Sequence, residues 1–174
     1  MANTYTLIQA QTLASSAATV TFSSIPATYT DLVLRVSSRS DRATVTYEEI
    51  TMTINGDTAS NYSTTYMQGD GAAATSVRTT SATDARLKFS SEGVGATANT
   101  FASMDIYIPS YTVSQNKPFG LFSAQETNAT TAYLLGTALL WRNTAAITSI
   151  SLATVFAANF VSGSSFYLYG IKNS

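Results

Sequence analysis

The chain has 174 residues, with nine basic and ten acidic side chains and a formal net charge of −1. This balance gives the protein no electrostatic reason to bind nucleic acid, because neutralising phosphates requires clustered Lys and Arg. The sequence has no cysteine and no histidine, which excludes disulfides, Cys-based metal sites and the Ser-His and Cys-His catalytic pairs.

Period-2 alternation of apolar residues predicts several short β-strands in the first part of the chain. The clearest spans residues 31–38, where Leu32, Leu34 and Val36 share one face. Further strands are predicted at 5–10, 18–22, 48–54 and 61–67. Asn55-Gly56-Asp57 separates the last two, and because it favours positive φ we expect it to form a hairpin turn between them.

In the second half of the chain, the sequence pattern predicts loops first and then long strands with alternating apolar residues. Residues 68–100 are expected to be mostly loop, with glycine-rich stretches at 69–74 and 92–96 flanking one short strand at 85–89. Strands are predicted at 101–109, 118–126 and 131–142, followed by a closing pair within 147–171. Because its last strand is rich in aromatic residues, we expect that strand to pair inside a sheet and close the fold.

These elements predict an all-β protein: a single β-sandwich domain over residues 1–174, jelly-roll-like, with about ten short strands and no helical period. The scarcity of charge favours self-association, so a homo-oligomer is expected. No apolar run approaches the roughly 20 residues of a membrane span. The first residues lack the features of a signal peptide. We therefore expect no membrane partner and synthesis in a cytoplasm.

Two adjacent carboxylates, Glu48 and Glu49, are the nearest approach to an acid–base pair. A glycosidase needs two carboxyl groups converging on one bond, whereas neighbours on a strand point to opposite faces. We expect one of them to be solvated and the other to lie at a rim. The sequence therefore predicts that the protein is not an enzyme, and it suggests no cofactor.

Oxygen-bearing residues cluster in one turn and recur in one loop. Asn55, Asp57 and Asn61 resemble part of a calcium loop, but Ala59 stands where a further ligand is needed. An ordinary turn is therefore the favoured interpretation over calcium. Asp70, between two glycines, either approaches a ligand through bare backbone or belongs to a flexible loop tip.

Aromatic residues offer the remaining candidate sites. Trp141 follows a long apolar strand and precedes Arg142, a combination enriched at interface hot spots and suited to stacking on a sugar. A core Trp with a satisfied ring N–H is the alternative, and it is favoured. Tyr107 and Tyr111 fit either a core edge or a contact surface.

The chain resembles a family of small virion proteins from tailed bacteriophages, especially marine ones. The resemblance rests on the opening run 5–13 followed by VTFSSIPATYTDLVLRVSSR, on the central IYIPSYTVSQNKP, and on the ending LLWRNTAAITSISL with FVSGSSFYLYGIKNS. Members are mostly known as structural proteins. The resemblance therefore implies a place in the virion and supplies no catalytic residues.

Two functions are consistent with this interpretation. The first is a capsid decoration (cement) protein, expected as a homotrimer, that binds the outer head surface and bridges major capsid protein subunits. The alternative is the receptor-binding tip of a tail fibre or appendage, which would recognise host surface glycans through Trp141, exposed tyrosines and loop residues Asn55, Asp57 and Asp70. Other virion proteins are possible partners in either case.

Overall fold

The computed structural model describes residues 4–129 and 131–173. Residues 1–3, 130 and 174 of the predicted domain lie outside the described part. The described residues form twelve strands and no helix: β1 (Tyr5–Thr12), β2 (Thr19–Phe22), β3 (Asp31–Ser38), β4 (Tyr47–Ile54), β5 (Tyr62–Gly69), β6 (Ala74–Ala82), β7 (Ala85–Glu92), β8 (Ala102–Ile108), β9 (Lys117–Gln125), β10 (Tyr133–Trp141), β11 (Ile150–Thr154) and β12 (Ser165–Ile171).

The strands form two antiparallel sheets that pack as a β-sandwich. The larger sheet has the order β1-β12-β3-β8-β9-β10-β5-β6, and the smaller has the order β2-β11-β4-β7. Within this arrangement, β1-β12-β3-β8 together with β2-β11-β4-β7 follows the strand order of an eight-stranded jelly roll. Two inserted hairpins, β5–β6 and β9–β10, extend the larger sheet beyond β8. The all-β sandwich prediction is confirmed, with twelve strands rather than about ten.

The core lies between the two sheets and is built by alternating residues of most of the strands. Leu32 and Leu34 of β3 and Ile50, Met52 and Ile54 of β4 are completely buried. These are the inward-facing residues that period-2 alternation predicts. Hydrophobic burial on this scale is the main favourable term in folding, at roughly 25 cal/mol per Å² of apolar surface.

The closing strand occupies the position expected for it. β12 pairs antiparallel with β1 on one side and with β3 on the other, so the two ends of the described chain lie together in one sheet. Phe166 and Leu168 are buried in the core. The prediction that the final strand pairs inside a sheet is confirmed.

The loop predicted for residues 68–100 contains a strand that the sequence did not indicate. β6 pairs with β5 from Gly69–Ala74 onward, and every residue from Ala74 to Ser81 is exposed. Period-2 alternation arises when one face of a strand is buried and the other is solvated. Because the smaller sheet does not cover β6, neither of its faces is buried and no alternation results.

The hairpin predicted at Asn55-Gly56 is wrong, although its backbone geometry is as expected. Asn55 and Gly56 have φ values of 53° and 66°. However, β4 belongs to the smaller sheet and β5 to the larger one, so the turn carries the chain from one sheet to the other.

Within the described part of the chain, no helix is long and apolar enough to cross a membrane.

Candidate interaction surface

The larger sheet has one side that the smaller sheet does not cover, here called the outer face. In β9, buried Phe119 and Leu121 alternate with exposed Gly120 and Phe122. The inserted hairpins therefore have an inner face that packs on the core and an outer face open to solvent. The outer face is unusual because its exposed positions are largely apolar or small.

An apolar patch lies where β9, β10 and β5 run side by side. It consists of Met67, Phe122, Leu134, Gly136 and Ala138. The three large side chains are 66%, 55% and 54% exposed, respectively. Gly136 lies opposite Phe122 on β9 and opposite Met67 on β5. A large apolar group therefore stands on each side of a residue without a side chain.

Gly136 makes the centre of the apolar patch concave. A Cβ added there would meet no atom within 4 Å, and the same is true of Gly120, which lies opposite Ala138 on the outer face. Phe122, Met67 and Leu134 surround this shallow groove. Exposed apolar groups grouped around a concave floor, rather than scattered singly, are typical of a surface that binds a partner.

Polar groups border the apolar patch on the β8 side. Arg35 Nε and Asp105 Oδ1 form an exposed ion pair at 3.3 Å, and Asp105 lies opposite Phe122. Tyr107, one of the predicted contact residues, is 46% exposed and lies opposite Gly120. An apolar centre bordered by polar groups is the usual anatomy of a protein–protein interface.

The Tyr107 hydroxyl is fixed to the sheet. It donates to Asp31 Oδ2 at 2.8 Å. This hydrogen bond to a carboxylate, together with slight desolvation, raises the pKa of Tyr107. The ring is therefore held in one orientation at the border of the apolar patch, and its exposed part is available for contact.

Trp141 and Tyr111, two further candidates, are buried, and a contact role for their rings is wrong. Trp141 has no exposed surface, and its Nε1 donates to Asp57 Oδ2 at 2.8 Å. Tyr111 is equally buried, and its hydroxyl donates to the Pro26 carbonyl. Neither ring can stack on a sugar. The alternative of a core Trp with a satisfied ring N–H is confirmed.

Asp57 holds its own turn together rather than a ligand. Its Oδ1 accepts from the Ala59 N–H at 2.9 Å, and its Oδ2 accepts from Asn61 Nδ2 and from Trp141 Nε1, each at 2.8 Å. The hydrogen bond from Asn61, followed by that from Trp141, lowers the pKa of Asp57. Both oxygens of the carboxylate are therefore engaged by donors from the chain itself.

Asn55 and Arg142 support the same end of the molecule. Asn55 Oδ1 accepts from the N–H groups of Thr148 and Ser149 at 2.8 and 3.0 Å, so this oxygen is engaged by the segment before β11. The Arg142 guanidinium is exposed and donates to the Ser60 carbonyl. Asn61 presents its amide N–H to Asp57 rather than an oxygen to a cation. These hydrogen bonds within the chain favour the ordinary-turn interpretation over calcium. Among the described residues, no group of three or more His, Cys, Asp or Glu side chains is placed to hold a metal ion.

Asp70 forms the tip of the β5–β6 hairpin. Its Oδ1 accepts from the N–H groups of Ala72 and Ala73 at 2.9 and 2.7 Å. The bond from Ala73, and then that from Ala72, lowers the pKa of Asp70. Of the two interpretations of this stretch, the structure favours a loop tip, closed by its own Asp.

The expectation that Glu48 and Glu49 reach solvent or a rim is wrong, because both are buried. Glu48 Oε1 accepts from the Glu49 N–H at 2.7 Å, and burial raises the pKa of Glu48. Glu49 binds Lys88 Nζ with both oxygens at 2.8 Å. Glu48 stays in phase with the buried Ile50 of the same strand, whereas Glu49 belongs to the alternate set of positions and is covered by Arg86 and Lys88 of β7. The two carboxylates have separate partners.

The residues of the apolar patch were missed at the sequence level, although β10 carried a signal. Residues 133–141, YLLGTALLW, are apolar at both alternating sets of positions. Such a run is typical of a strand covered on both faces, yet the outer-face positions of β10 are mostly exposed.

Comparison with protein-family models, with curated proteins and with solved structures found no significant match to this chain.

Proposed function

We propose that this protein is a virion structural protein of a tailed bacteriophage, a decoration protein that binds the outer surface of the head. The observation that carries the proposal is the apolar patch on the outer face, across β9, β10 and β5. β10 has the composition of a strand covered on both sides, while the chain itself covers only one. The family resemblance of the sequence points to the virion.

The decoration role would stabilise the head by burying surface across joints between major capsid protein subunits. A stable interface requires on the order of 1,200–2,000 Å² of buried surface. Met67, Phe122 and Leu134 would supply the desolvated centre, and Arg35, Asp105 and Tyr107 the polar border. Each additional 1.4 kcal/mol of interface energy raises occupancy about tenfold.

The receptor-binding alternative loses the aromatic residue on which it chiefly relied, since Trp141 is buried. Asn55 and Asp57 are also engaged within the chain. Tyr107 is the earlier candidate whose ring stays exposed beside the apolar patch. Glycan binding is therefore retained as an outcome that the experiment must be able to detect.

Binding of purified protein to heads that lack it tests the proposal. We expect co-sedimentation with the heads, and we expect Phe122→Glu and Met67→Glu to weaken binding at least tenfold. Val94→Glu serves as the matched control, because Val94 is an equally exposed apolar side chain in the loop after β7. All variants should keep the wild-type circular dichroism spectrum.

Two results would overturn the proposal. One is equal binding by the Phe122, Met67 and Val94 variants, which would show that the apolar patch is not the docking surface. The other is a wild-type protein that ignores heads but binds host cell-surface glycans.

A further inference from the structure

β6 is the last strand of the larger sheet, and both of its faces are exposed. Every residue from Ala74 to Ser81 is exposed, and Val77 retains 44% of its surface. β6 contacts β5 along one edge only, and its other edge has no neighbouring strand in the described chain. A long exposed edge of this kind is a template for pairing with another strand.

The main-chain groups at this edge can be assigned from the hairpin. Asp70 N–H donates to the Ala73 carbonyl at 3.2 Å, which makes these two residues a hydrogen-bonded pair. Hydrogen-bonded pairs alternate along an antiparallel ladder. With the observed register, Thr75, Val77 and Thr79 bond to β5. The N–H and C=O groups of Ala74, Ser76 and Arg78 therefore point outward.

β6 lacks the devices that usually protect an edge. Its nine residues, ATSVRTTSA, include a single charged residue, Arg78, and neither Pro nor Lys. Its one irregularity lies near its end, where the register with β5 shifts between Tyr62 and Thr64. Natural edge strands are normally blunted by charge, proline or a central bulge.

The opposite edge of the same sheet is protected. β1 carries a register shift in its middle, between Leu7 and Gln9. Gln9 and Gln11 donate from Nε2 to the carbonyls of Ser23 and Thr21 at 2.5 and 2.7 Å, which ties β1 to the strand and loop below it. Of the two edges of the larger sheet, β6 rather than β1 is therefore the one that is regular and open to pairing with a second copy.

We propose that β6 pairs antiparallel with β6 of a second copy of this chain, about a two-fold axis that passes through Val77. The two larger sheets then become one continuous sheet. Val77 faces Val77 of the partner subunit in a non-hydrogen-bonded pair, and Arg78 faces Ser76 of the partner subunit in a hydrogen-bonded pair. No like charges are opposed, and the net charge of −1 keeps repulsion between copies small.

This pairing gives a dimer, whereas a trimer was expected from the sequence. Because the two-fold axis stands perpendicular to the sheet, both outer faces point to the same side. If the proposed head-binding function holds, the dimer presents two apolar patches to one surface and binds it bivalently, which strengthens attachment without new contacts. The dimer itself does not depend on that function.

A single introduced cysteine tests the register. The chain has no cysteine, so Val77→Cys carries the only thiol. Non-hydrogen-bonded antiparallel pairs have Cα atoms about 4.5 Å apart, within the range of roughly 4.4–6.8 Å that a disulfide bridges. Under mild oxidation we expect Val77→Cys to form a covalent dimer at least ten times faster than the exposed-loop control Val94→Cys.

Mass measurement tests the assembly independently of cross-linking. Light scattering of the wild-type protein should give twice the monomer mass of 18.4 kDa. Val77→Lys places two like charges on the axis and should give the monomer mass with an unchanged circular dichroism spectrum. A monomeric or trimeric wild type, or equal oxidation rates for the two cysteine variants, would overturn the proposal whatever the outcome of head binding.

Discussion

The indole N–H of Trp141 donates to Asp57 Oδ2 at 2.8 Å, across 84 residues of sequence. Trp141 ends β10, in an inserted hairpin, while Asp57 lies in the turn that carries the chain from β4 to β5. The same turn accepts the Tyr62 hydroxyl at the Asp57 carbonyl, at 3.0 Å. The Trp141–Asp57 hydrogen bond therefore links the extension of the larger sheet to the turn that leaves the jelly roll.

Removing the Asp57 carboxylate should destabilise the protein. Asp57→Ala leaves the buried Trp141 N–H without its acceptor, and a buried donor without a partner costs about 1–3 kcal/mol. Urea unfolding followed by Trp fluorescence measures the loss. Asp70→Ala is the control, since Asp70 closes an exposed hairpin tip, and it should cost clearly less. Equal losses for the two variants would contradict the role given to the Trp141–Asp57 bond.

The same carboxylate should contribute to acid sensitivity. The pKa of Asp57 is lowered from its ordinary value of 3.8 by Asn61 and then by Trp141. Its stabilising effect is therefore full above pH 3.8 and is lost as the pH falls through the lower folded-state pKa. Wild type should exceed Asp57→Asn in stability at pH 6, and the difference should shrink below pH 3.8. A constant difference down to pH 2 would show that Asp57 ionisation is not involved.

Local sequence patterns predicted the sandwich well because most strands have one buried face. The alternation in β3, β4 and β12 reflects that burial directly. β6 was not predicted because, among the described residues, no element covers either of its faces, so its sequence shows no period-2 alternation. The turn at Asn55-Gly56 was identified from its favoured positive φ, but a local pattern cannot say which sheet the next strand will join.

The candidate site was harder to predict because its character depends on distant neighbours. Trp141 beside Arg142 resembles a hot spot in sequence, and only the fold brings Asp57 to its ring nitrogen. Glu48 is buried in phase with Ile50, while Glu49 is buried because the β7 side chains of Arg86 and Lys88 cover it. Gly136 forms the floor of the groove only because Phe122 and Met67, on two other strands, lie on either side of it.

Replacing the buried carboxylates Glu92 and Glu49 by neutral Gln should change the stability of the protein in opposite directions. Glu92 is fully buried and its Oε1 has no hydrogen-bond partner; burial, only partly offset by Gln125, raises its pKa above 4.5. Ionisation of Glu92 therefore costs stability as the pH rises through and above 4.5. Glu92→Gln should be at least as stable as wild type at pH 8, and this relative gain should vanish near pH 4.

Glu49→Gln is the matched comparison for Glu92→Gln. Glu49 is also buried, but it binds Lys88 Nζ with both oxygens at 2.8 Å. Losing a charge-assisted hydrogen bond of this kind should cost about 1.5–3 kcal/mol at pH 8. Urea unfolding at pH 4 and pH 8 measures both variants. Destabilisation by Glu92→Gln equal to that of Glu49→Gln would show that Glu92 ionisation carries no penalty.

Gly170 in β12 should not tolerate a side chain. A Cβ added at Gly170 would overlap the ring of Tyr29, which packs against the core. Gly170→Ala should therefore cost about 1–3 kcal/mol through overpacking. Adding Tyr29→Ala should remove the clash. The double variant should therefore lose less stability than the sum of the losses caused by the two single substitutions. Gly136→Ala, where a Cβ meets nothing within 4 Å, should leave thermal stability unchanged.

The proposed place in the virion is tested most directly by cryo-electron microscopy of intact particles that carry this protein. A head-decoration protein should appear as ordered density over the head lattice, with the outer face of its larger sheet against the major capsid protein. Density confined to the tail or to fibre tips, with the outer face in solvent, would contradict the account and favour a receptor-binding role.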